Sequence, residues 1–215
     1  MAARRRASDC GPVLDPVLRR WIDPPLDRAG ALLAQRAVSA NATTLAGLAI
    51  GLLAVPLLAY GRYDAALVVI LLNRLIDGLD GAIARHAGAT PFGGYLDILC
   101  DMAFYAAVPL GFALADPGNA LWAALLLASF VCTASSFLGR AAMARQRDEA
   151  DDGARGRKSF FHAAGLIEGS ETIAAFVLFC LFPTAFPWLA AAFAVLCFWT
   201  AAARLVDTYR AERQK

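Results

Sequence analysis

Residues 65–85 read AALVVILLNRLIDGLDGAIAR, and residues 93–115 read GGYLDILCDMAFYAAVPLGFALA. Both stretches reach the length of about 20 mainly apolar residues that a helix needs to cross a bilayer. Each also carries two aspartates, although an ionisable residue inside a span costs about 2.5–3.5 kcal/mol on insertion scales. The two stretches therefore predict a pair of transmembrane helices with a functional site formed by Asp77, Asp80, Asp97 and Asp101.

The whole chain has the composition of a membrane protein. Of its 215 residues, 59% are apolar and 18% are charged, and the mean hydropathy is +0.54. Soluble domains contain about 45–50% apolar and about 25% charged residues. The formal net charge of +2 is too small to indicate nucleic-acid binding. We predict an all-α polytopic membrane protein whose six transmembrane helices occupy the windows 43–60, 65–85, 94–115, 119–140, 160–182 and 187–206.

The basic residues predict how these helices are oriented. With six spans, all of the 20 Lys and Arg residues except Arg62 and Arg74 fall on one face of the membrane. The positive-inside rule makes that face the cytoplasmic one. We therefore expect a multi-pass protein of the inner (cytoplasmic) membrane, with both termini and the active site on the cytoplasmic side. The predicted organisation is a tail with interfacial helices (1–42), a six-helix catalytic domain (43–206) and a second tail (207–215).

The segment before the first span alternates apolar and charged residues. This pattern over residues 12–38 is typical of amphipathic helices that lie on a membrane surface. Trp21 suits the headgroup layer, and Pro24-Pro25 predicts a break into two short helices. A solvated tail is the alternative interpretation.

The spacing of the four aspartates predicts that they face one another. Residues three or four apart share one face of a helix, which groups Asp77 with Asp80 and Asp97 with Asp101 on two antiparallel neighbours. Clustered carboxylates repel unless they are protonated or neutralised, and Mg²⁺ or Mn²⁺ is the natural partner of an all-oxygen site. Small residues around the acids leave room for a ligand: Gly78, Gly81, Ala82, Ala84, Gly93 and Gly94. Acids satisfied by interhelical hydrogen bonds, or lining an ion path, are the alternatives.

The acids also belong to a longer pattern. Asp77-x₂-Asp80-Gly81-x₂-Ala84-Arg85-x₇-Gly93-x₃-Asp97-x₃-Asp101 resembles the signature of the CDP-alcohol phosphatidyltransferases, with every fixed position present. The resemblance implies transfer of a phosphatidyl group from a CDP-linked lipid, usually CDP-diacylglycerol, to the hydroxyl of an alcohol, with release of CMP in phospholipid biosynthesis. It also implies a homodimer.

The resemblance assigns roles to the residues of the pattern. Asp77, Asp80 and Asp97 would be shared ligands of two divalent ions, and Asp101 would complete the metal site. Asp101 would also be the catalytic residue that acts as general base on the acceptor hydroxyl, since a carboxylate within hydrogen-bond reach can take that proton. The donor nucleotide would lie against Gly81, Arg85, Gly93, Asn41 and Thr44.

The acceptor is less sharply indicated. Arg157 and Lys158 lie where a phosphorylated acceptor would enter, and a phosphate there would gain charge-assisted hydrogen bonds; they are otherwise ordinary positive-inside residues. Glycerol 3-phosphate is the first expectation, with serine, inositol phosphate or another alcohol as alternatives. A small cation transporter is the alternative from another class, although its acids would be expected near the midplane.

One further residue calls for a partner. Arg74 lies deep in the second span, at about 18 Å from its cytoplasmic end. Glu171 lies at a comparable depth in the fifth span, and Glu168 precedes it by three residues. We predict a buried, structural ion pair between Arg74 and one of these glutamates.

Overall fold

The computed structural model describes residues 15–150 and 169–213, and within them the side chains of 24–143 and 169–213. Every regular element in these ranges is helical, which confirms the all-α prediction. In the described part of the chain two short 3₁₀ turns, Pro117–Asn119 and Pro183–Ala185, each join two helices. The helices are α1 (Asp15–Gln35), α2 (Ala40–Leu52), α3 (Ala54–Ala59), α4 (Tyr63–Ala87), α5 (Pro91–Ala115), α6 (Ala120–Ala150), α7 (Gly169–Leu181) and α8 (Phe186–Arg213).

Within the described ranges, four helical stretches are long and apolar enough to cross a membrane: Ala40–Ala59, Pro91–Ala115, Pro117–Met143 and Pro183–Arg213. They correspond to four of the six predicted spans. The predicted span 65–85 is helical as α4, but Arg74 and the two aspartates make it more charged than an ordinary span. The predicted span 160–182 is described only from Gly169 as the short apolar α7. The count of six therefore stays a prediction.

The N-terminal segment forms one helix where two were predicted. Pro24 and Pro25 both lie inside α1, so the predicted break was wrong. A proline removes one N–H donor and crowds the carbonyl four residues earlier, which kinks a helix but does not always end it. The placement of α1 on a membrane surface remains a prediction.

A break that we did not predict divides the first span. Helix α2 ends at Leu52 and α3 begins at Ala54. Pro56 accounts for the position of the break, because it lacks the N–H that would have donated to the carbonyl of Leu52.

The α4–α5 hairpin is shaped by three consecutive local signals. Gly88 follows the last turn of α4 with φ +103°, a conformation that residues with a Cβ rarely adopt. Thr90 then caps α5, because its side chain accepts a hydrogen bond from the amide of Gly93 at 3.0 Å. Pro91 occupies the first helical position, where no N–H is needed. This turn brings the two acidic segments together.

Small residues let the neighbouring helices approach the hairpin closely. A Cβ on Gly30 of α1 would lie 2.5 Å from Cβ of Ala82 on α4. On α2, a Cβ on Gly51 would lie 2.8 Å from both Asn73 Nδ2 and Phe104 Cδ2. Asn73 also donates to the carbonyl of Gly47 at 2.9 Å. Helices α1 and α2 are thus held against the same helix, α4.

Aromatic side chains fill the interior from the middle of α5 to the end of the hairpin away from the acids. The ring of Phe112 stacks on that of Phe186, with centroids 4.4 Å apart, and on that of Tyr63 at 5.6 Å. Phe179 meets Phe112 edge-on at 6.0 Å, and Phe176 meets Phe104 edge-on at 6.2 Å. These geometries are the favourable ones for aromatic pairs, and they fix how α5, α7 and α8 pack together.

Candidate active site

Three of the four aspartates converge at the turn end of the hairpin. Asp77, Asp80 and Asp97 each offer a carboxylate oxygen that lies within 4.8 Å of those of the other two. Asp80 is buried, and the other two are partly exposed. The prediction that α4 and α5 present their acids to each other is therefore confirmed for Asp77, Asp80 and Asp97, which form one cluster.

This cluster fits a divalent cation. One oxygen of Asp80, Oδ2, is buried and has no hydrogen-bond partner among the described residues. A buried carboxylate oxygen without a partner is costly unless something else satisfies it. Carboxylate oxygens are the ligands that Mg²⁺ and Mn²⁺ prefer. The donor set and the unpaired oxygen both point to a cation between α4 and α5.

Asp101 lies beside this cluster and has a different partner. Its Oδ1 lies 3.3 Å from both Nη1 and Nη2 of Arg74. The same guanidinium also ion-pairs with Asp77 and donates from Nη1 to the Tyr105 hydroxyl at 3.0 Å. Arg74 thus connects the first acid of α4 to the last acid of α5.

These partners of Arg74 differ from the glutamates that we predicted. Glu171 accepts a hydrogen bond from the hydroxyl of the adjacent Ser170 at 3.1 Å and takes part in a further interaction, while Glu168 lies outside the described residues, so a pair with Glu168 stays a prediction. The sequence did contain a signal for one observed partner, because Asp77 follows Arg74 by three positions on the same helix. Nothing in the local spacing indicated Tyr105.

The small residues near the acids serve two different purposes. Among the described residues, a Cβ at Gly81 would meet only Nη1 of Arg85, at 3.7 Å, and a Cβ at Gly94 would meet nothing within 4 Å. Gly78 is instead covered by Leu26 of α1, at 2.8 Å, and Ala82 by Gly30. The expectation that all six residues leave room for a ligand was therefore wrong for Gly78 and Ala82, whose small size serves helix packing.

The first turn of α2 lies beside the cluster. A Cβ on Gly93 would lie 3.1 Å from Oδ1 of Asn41, so Asn41 faces the start of α5. Thr44 is buried next to the Asp80 carboxylate, and its hydroxyl donates to the carbonyl of Ala40 at 3.0 Å. Two of the five residues predicted for the donor nucleotide thus lie at the acidic hairpin, Thr44 beside Asp80 and Asn41 beside Gly93.

Arg85 at the end of α4 is paired with α1. Its Nη2 lies 3.0 Å from Oδ1 of Asp27, and Nε2 of His86 lies 3.4 Å from Oδ2 of the same carboxylate. The hydrogen bond from Arg85 lowers the pKa of Asp27 below its ordinary value. Sequence analysis did not find Asp27, because no local spacing relates α1 to α4. The predicted acceptor residues Arg157 and Lys158 lie outside the described residues.

Comparison with known proteins agrees with the geometry. Residues 37–202 match the model of the family described as CDP-alcohol phosphatidyltransferase. The inner membrane protein YnjF of Escherichia coli is 49% identical over 198 residues, which cover 92% of this chain and 96% of that protein. An archaetidylinositol phosphate synthase of Pyrococcus horikoshii is 34% identical over 98 residues, which cover 45% of this chain and 52% of that protein.

A solved structure shares the fold. It is a phosphatidylinositol phosphate synthase of Mycobacterium tuberculosis with CDP-DAG bound, and it superposes with a TM-score of 0.63 at 23% identity. The likeness covers 84% of this chain and 91% of that one. The family match spans most of the chain and includes all four aspartates of the site, and the chain therefore belongs to the CDP-alcohol phosphatidyltransferase family.

Proposed function

We propose that this enzyme transfers the phosphatidyl group of CDP-diacylglycerol to the hydroxyl of a phosphorylated alcohol and releases CMP. The observation that carries the proposal is the convergence of the Asp77, Asp80 and Asp97 carboxylates within 4.8 Å, in a family that uses CDP-alcohols. A transporter does not need the complete transferase motif in which these acids lie.

The three converging aspartates would hold the divalent cations, for which we propose two ions, Mg²⁺ or Mn²⁺. When bound, the cations neutralise the pyrophosphate of the donor and stabilise CMP as it leaves. The open backbone at Gly81 and the side chains of Asn41 and Thr44 would accept the nucleotide near the acids. Gly93 and Arg85 complete the surface proposed for the donor, and Arg85 would contact phosphate.

Asp101 is the proposed general base. The acceptor oxygen attacks the phosphorus of the phosphatidyl group, the bond from that phosphorus to the CMP oxygen breaks, and the hydroxyl proton passes to the Asp101 carboxylate. Asp101 lies one turn along α5 from Asp97, so a base stands next to the cluster. We also retain the proposal that Asp101 contributes to the metal site.

For the acceptor we propose glycerol 3-phosphate first and inositol phosphate second. Both carry a phosphate monoester, which Arg157 and Lys158 would bind. The second candidate is favoured by the names of two archaetidylinositol phosphate synthases, from Pyrococcus horikoshii and Methanothermobacter thermautotrophicus, and of the mycobacterial synthase of the same fold. Serine is the alternative without a phosphate.

We propose that the enzyme is a six-span protein of the inner membrane, with the active site and both termini on the cytoplasmic side. The name of the Escherichia coli relative and the distribution of Lys and Arg support this placement. The homodimer is also a proposal, and the mass of the purified protein in detergent by light scattering tests it.

The test is CMP release from CDP-diacylglycerol by the purified enzyme in lipid nanodiscs with Mn²⁺. The acceptors are glycerol 3-phosphate, inositol phosphate, serine and water alone, and mass spectrometry identifies the lipid formed. We expect CMP and one matching phosphatidyl product with a phosphorylated acceptor. Activity with serine alone would contradict the proposed acceptor class. The absence of CMP with every acceptor, from protein that binds Mn²⁺, would contradict the proposed reaction.

A further inference from the structure

We propose that Arg74 is a positioning residue, which contacts Oδ1 of Asp101 and so holds this side chain at a fixed place beside the cluster of Asp77, Asp80 and Asp97. This inference rests on the proposed function, because Asp101 is the base of that reaction. Arg74 is not part of the family pattern described above, and its role follows from its contacts.

The contacts of Arg74 cross the hairpin. Its guanidinium meets Asp77, which belongs to the metal cluster on α4, and Asp101, which belongs to α5. All three side chains are about a quarter exposed, at 23%, 28% and 27%. One rigid group therefore sets the distance between a metal ligand and the base.

The shape of the guanidinium suits this task. It is planar and offers five N–H donors in a fixed fork, whereas a lysine ammonium is a compact point charge on a flexible stem. The guanidinium of Arg74 contacts three side chains. Both terminal nitrogens lie near Oδ1 of Asp101. Nη1 also donates to the hydroxyl of Tyr105, and Nη2 forms the ion pair with Asp77. Neutralising a nearby acid would require only one of these contacts.

Tyr105 anchors the guanidinium from the side of the core. It is 8% exposed, and its ring lies edge-on to Phe176 at 6.0 Å and against Phe130 at 6.4 Å. A Cβ on Gly169 would lie 3.2 Å from the Tyr105 hydroxyl, so the start of α7 closes the remaining side. Ring packing in the core thereby holds Tyr105 in place. The hydroxyl of Tyr105 in turn orients Arg74, and Arg74 orients the Asp101 carboxylate.

Asp101 lies beside the other three acids and has Arg74 as its partner. The group of mutually close oxygens contains Asp77, Asp80 and Asp97, while Oδ1 of Asp101 is held by Arg74. A carboxylate that is held beside the cations remains able to accept a proton from the acceptor. Arg74 would then act on the chemical step through Asp101, and would not itself contact substrate.

The test compares Arg74→Met and Arg74→Lys with wild type, with Arg62→Met as control because Arg62 is an exposed arginine at the far end of α4. Steady-state CMP release gives kcat and the KM for CDP-diacylglycerol, and calorimetry with Mn²⁺ alone gives the metal affinity. For Arg74→Met we expect kcat to fall about 100-fold, the effect of displacing a catalytic group by about 1 Å. The donor KM should change little. Mn²⁺ should bind at least as tightly, since a positive charge is removed beside Asp77.

Three results would overturn the inference. Wild-type kcat in Arg74→Met would show that Asp101 needs no positioning. Full recovery in Arg74→Lys would show that charge alone suffices. Weaker Mn²⁺ binding in Arg74→Met would make Arg74 a structural support of the metal cluster.

A second variant decides the matter if Arg74→Met does not fold. Tyr105→Phe keeps the ring and removes one hydrogen bond to Arg74, and we expect kcat to fall about fivefold, as for the loss of a single hydrogen bond. When Tyr105→Phe is combined with Arg74→Lys, the further fall in kcat should be smaller, because the hydrogen bond between residue 74 and the Tyr105 hydroxyl is already altered. An unchanged kcat in Tyr105→Phe would overturn the inference. If wild-type protein binds Mn²⁺ but releases no CMP, the proposed function is overturned together with this inference. If activity is lost in Asp101→Asn but kept in Arg74→Met, this inference alone is overturned.

Discussion

At one end of the α4–α5 hairpin, Asp77, Asp80 and Asp97 converge and Asp101 lies beside them, whereas at the other end Phe112 is enclosed by three aromatic rings. We call these the acidic end (Asp77, Asp80, Asp97, Asp101) and the aromatic end (Tyr63, Phe112, Phe179, Phe186). The two ends belong to the same pair of helices. At the aromatic end the rings pack against one another, whereas at the acidic end a buried carboxylate oxygen has no hydrogen-bond partner among the described residues.

The comparison separates stability from activity. At the aromatic end every ring is packed against another, so this region holds the helices together through close contacts. At the acidic end an oxygen of Asp80 lacks a hydrogen-bond partner among the described residues. A cation bound by the three clustered acids could supply that partner. Substitutions at the acidic end should therefore impair turnover, and those at the aromatic end should impair folding.

The largest effect is expected for Asp101→Asn. It keeps the size of the side chain and removes the proton acceptor, so CMP release should fall by about 10³-fold or more, while most donor binding is retained. CMP release and binding of labelled CDP-diacylglycerol measure the two quantities.

Asp64→Asn is the matched control for this variant, because Asp64 is an exposed acid at the aromatic end of α4. Both variants should unfold at the wild-type temperature. Near-normal turnover in Asp101→Asn would show that the assigned base is wrong.

The next effect is expected at the aromatic end. Phe112→Ala removes a fully buried ring and should lower the free energy of unfolding by about 3–5 kcal/mol, while kcat per folded molecule stays close to wild type. Thermal unfolding in detergent, with activity normalised to folded protein, measures both. The control is Phe182→Ala, at an exposed ring. A stable Phe112→Ala variant that had lost its activity would contradict the separation of the two ends.

A smaller effect is expected where α1 meets the acidic end. Gly30→Ala places a methyl 2.5 Å from Cβ of Ala82 and 2.8 Å from its carbonyl carbon, so α1 must move away from α4 at a cost of about 1–3 kcal/mol. The melting temperature should fall and the donor KM should rise. Gly139→Ala is the control, because a Cβ there meets no described residue within 4 Å. Equal behaviour of the two variants would show that the α1–α4 contact is not close.

The smallest effect is expected for Asp27→Asn, which removes the exposed partner of Arg85. The pKa of Asp27 is lower in the folded protein than in the unfolded chain. The ion pair therefore stabilises the fold at pH above the unfolded-state pKa, and this contribution is lost as the pH falls through the folded-state pKa. Wild type should be slightly more stable than the variant at neutral pH, and the two should melt alike at pH below both pKa values of Asp27. A larger difference at acid pH would contradict this assignment.

The sequence predicted the acidic end better than the surroundings of that end. The pairing of Asp77 with Asp80 and of Asp97 with Asp101 follows from the period of one helix, and a short turn makes α4 and α5 antiparallel. These are local relations, and the structure confirms that the acids face each other.

The relations that were missed are of two kinds. The contact of Gly30 with Ala82 and the ion pair of Asp27 with Arg85 join segments more than 50 residues apart, and no period or spacing encodes them. The break at Leu53 did have a local signal, Pro56, whose effect on the carbonyl of Leu52 was overlooked. At Pro24-Pro25 the same type of signal was given too much weight, since α1 continues through both residues.

The most direct test of the central claim is metal-dependent CMP release by wild type and Asp80→Asn, measured in parallel. Both proteins are treated with EDTA and assayed with CDP-diacylglycerol and the best acceptor while Mn²⁺ is added back. We predict that CMP release by wild type is abolished by EDTA and restored by Mn²⁺, while Asp80→Asn stays inactive and melts as wild type does. Equal CMP release by wild type with EDTA and with Mn²⁺, or restoration of Asp80→Asn to the wild-type rate, would contradict the claim that these aspartates form a metal-dependent catalytic site.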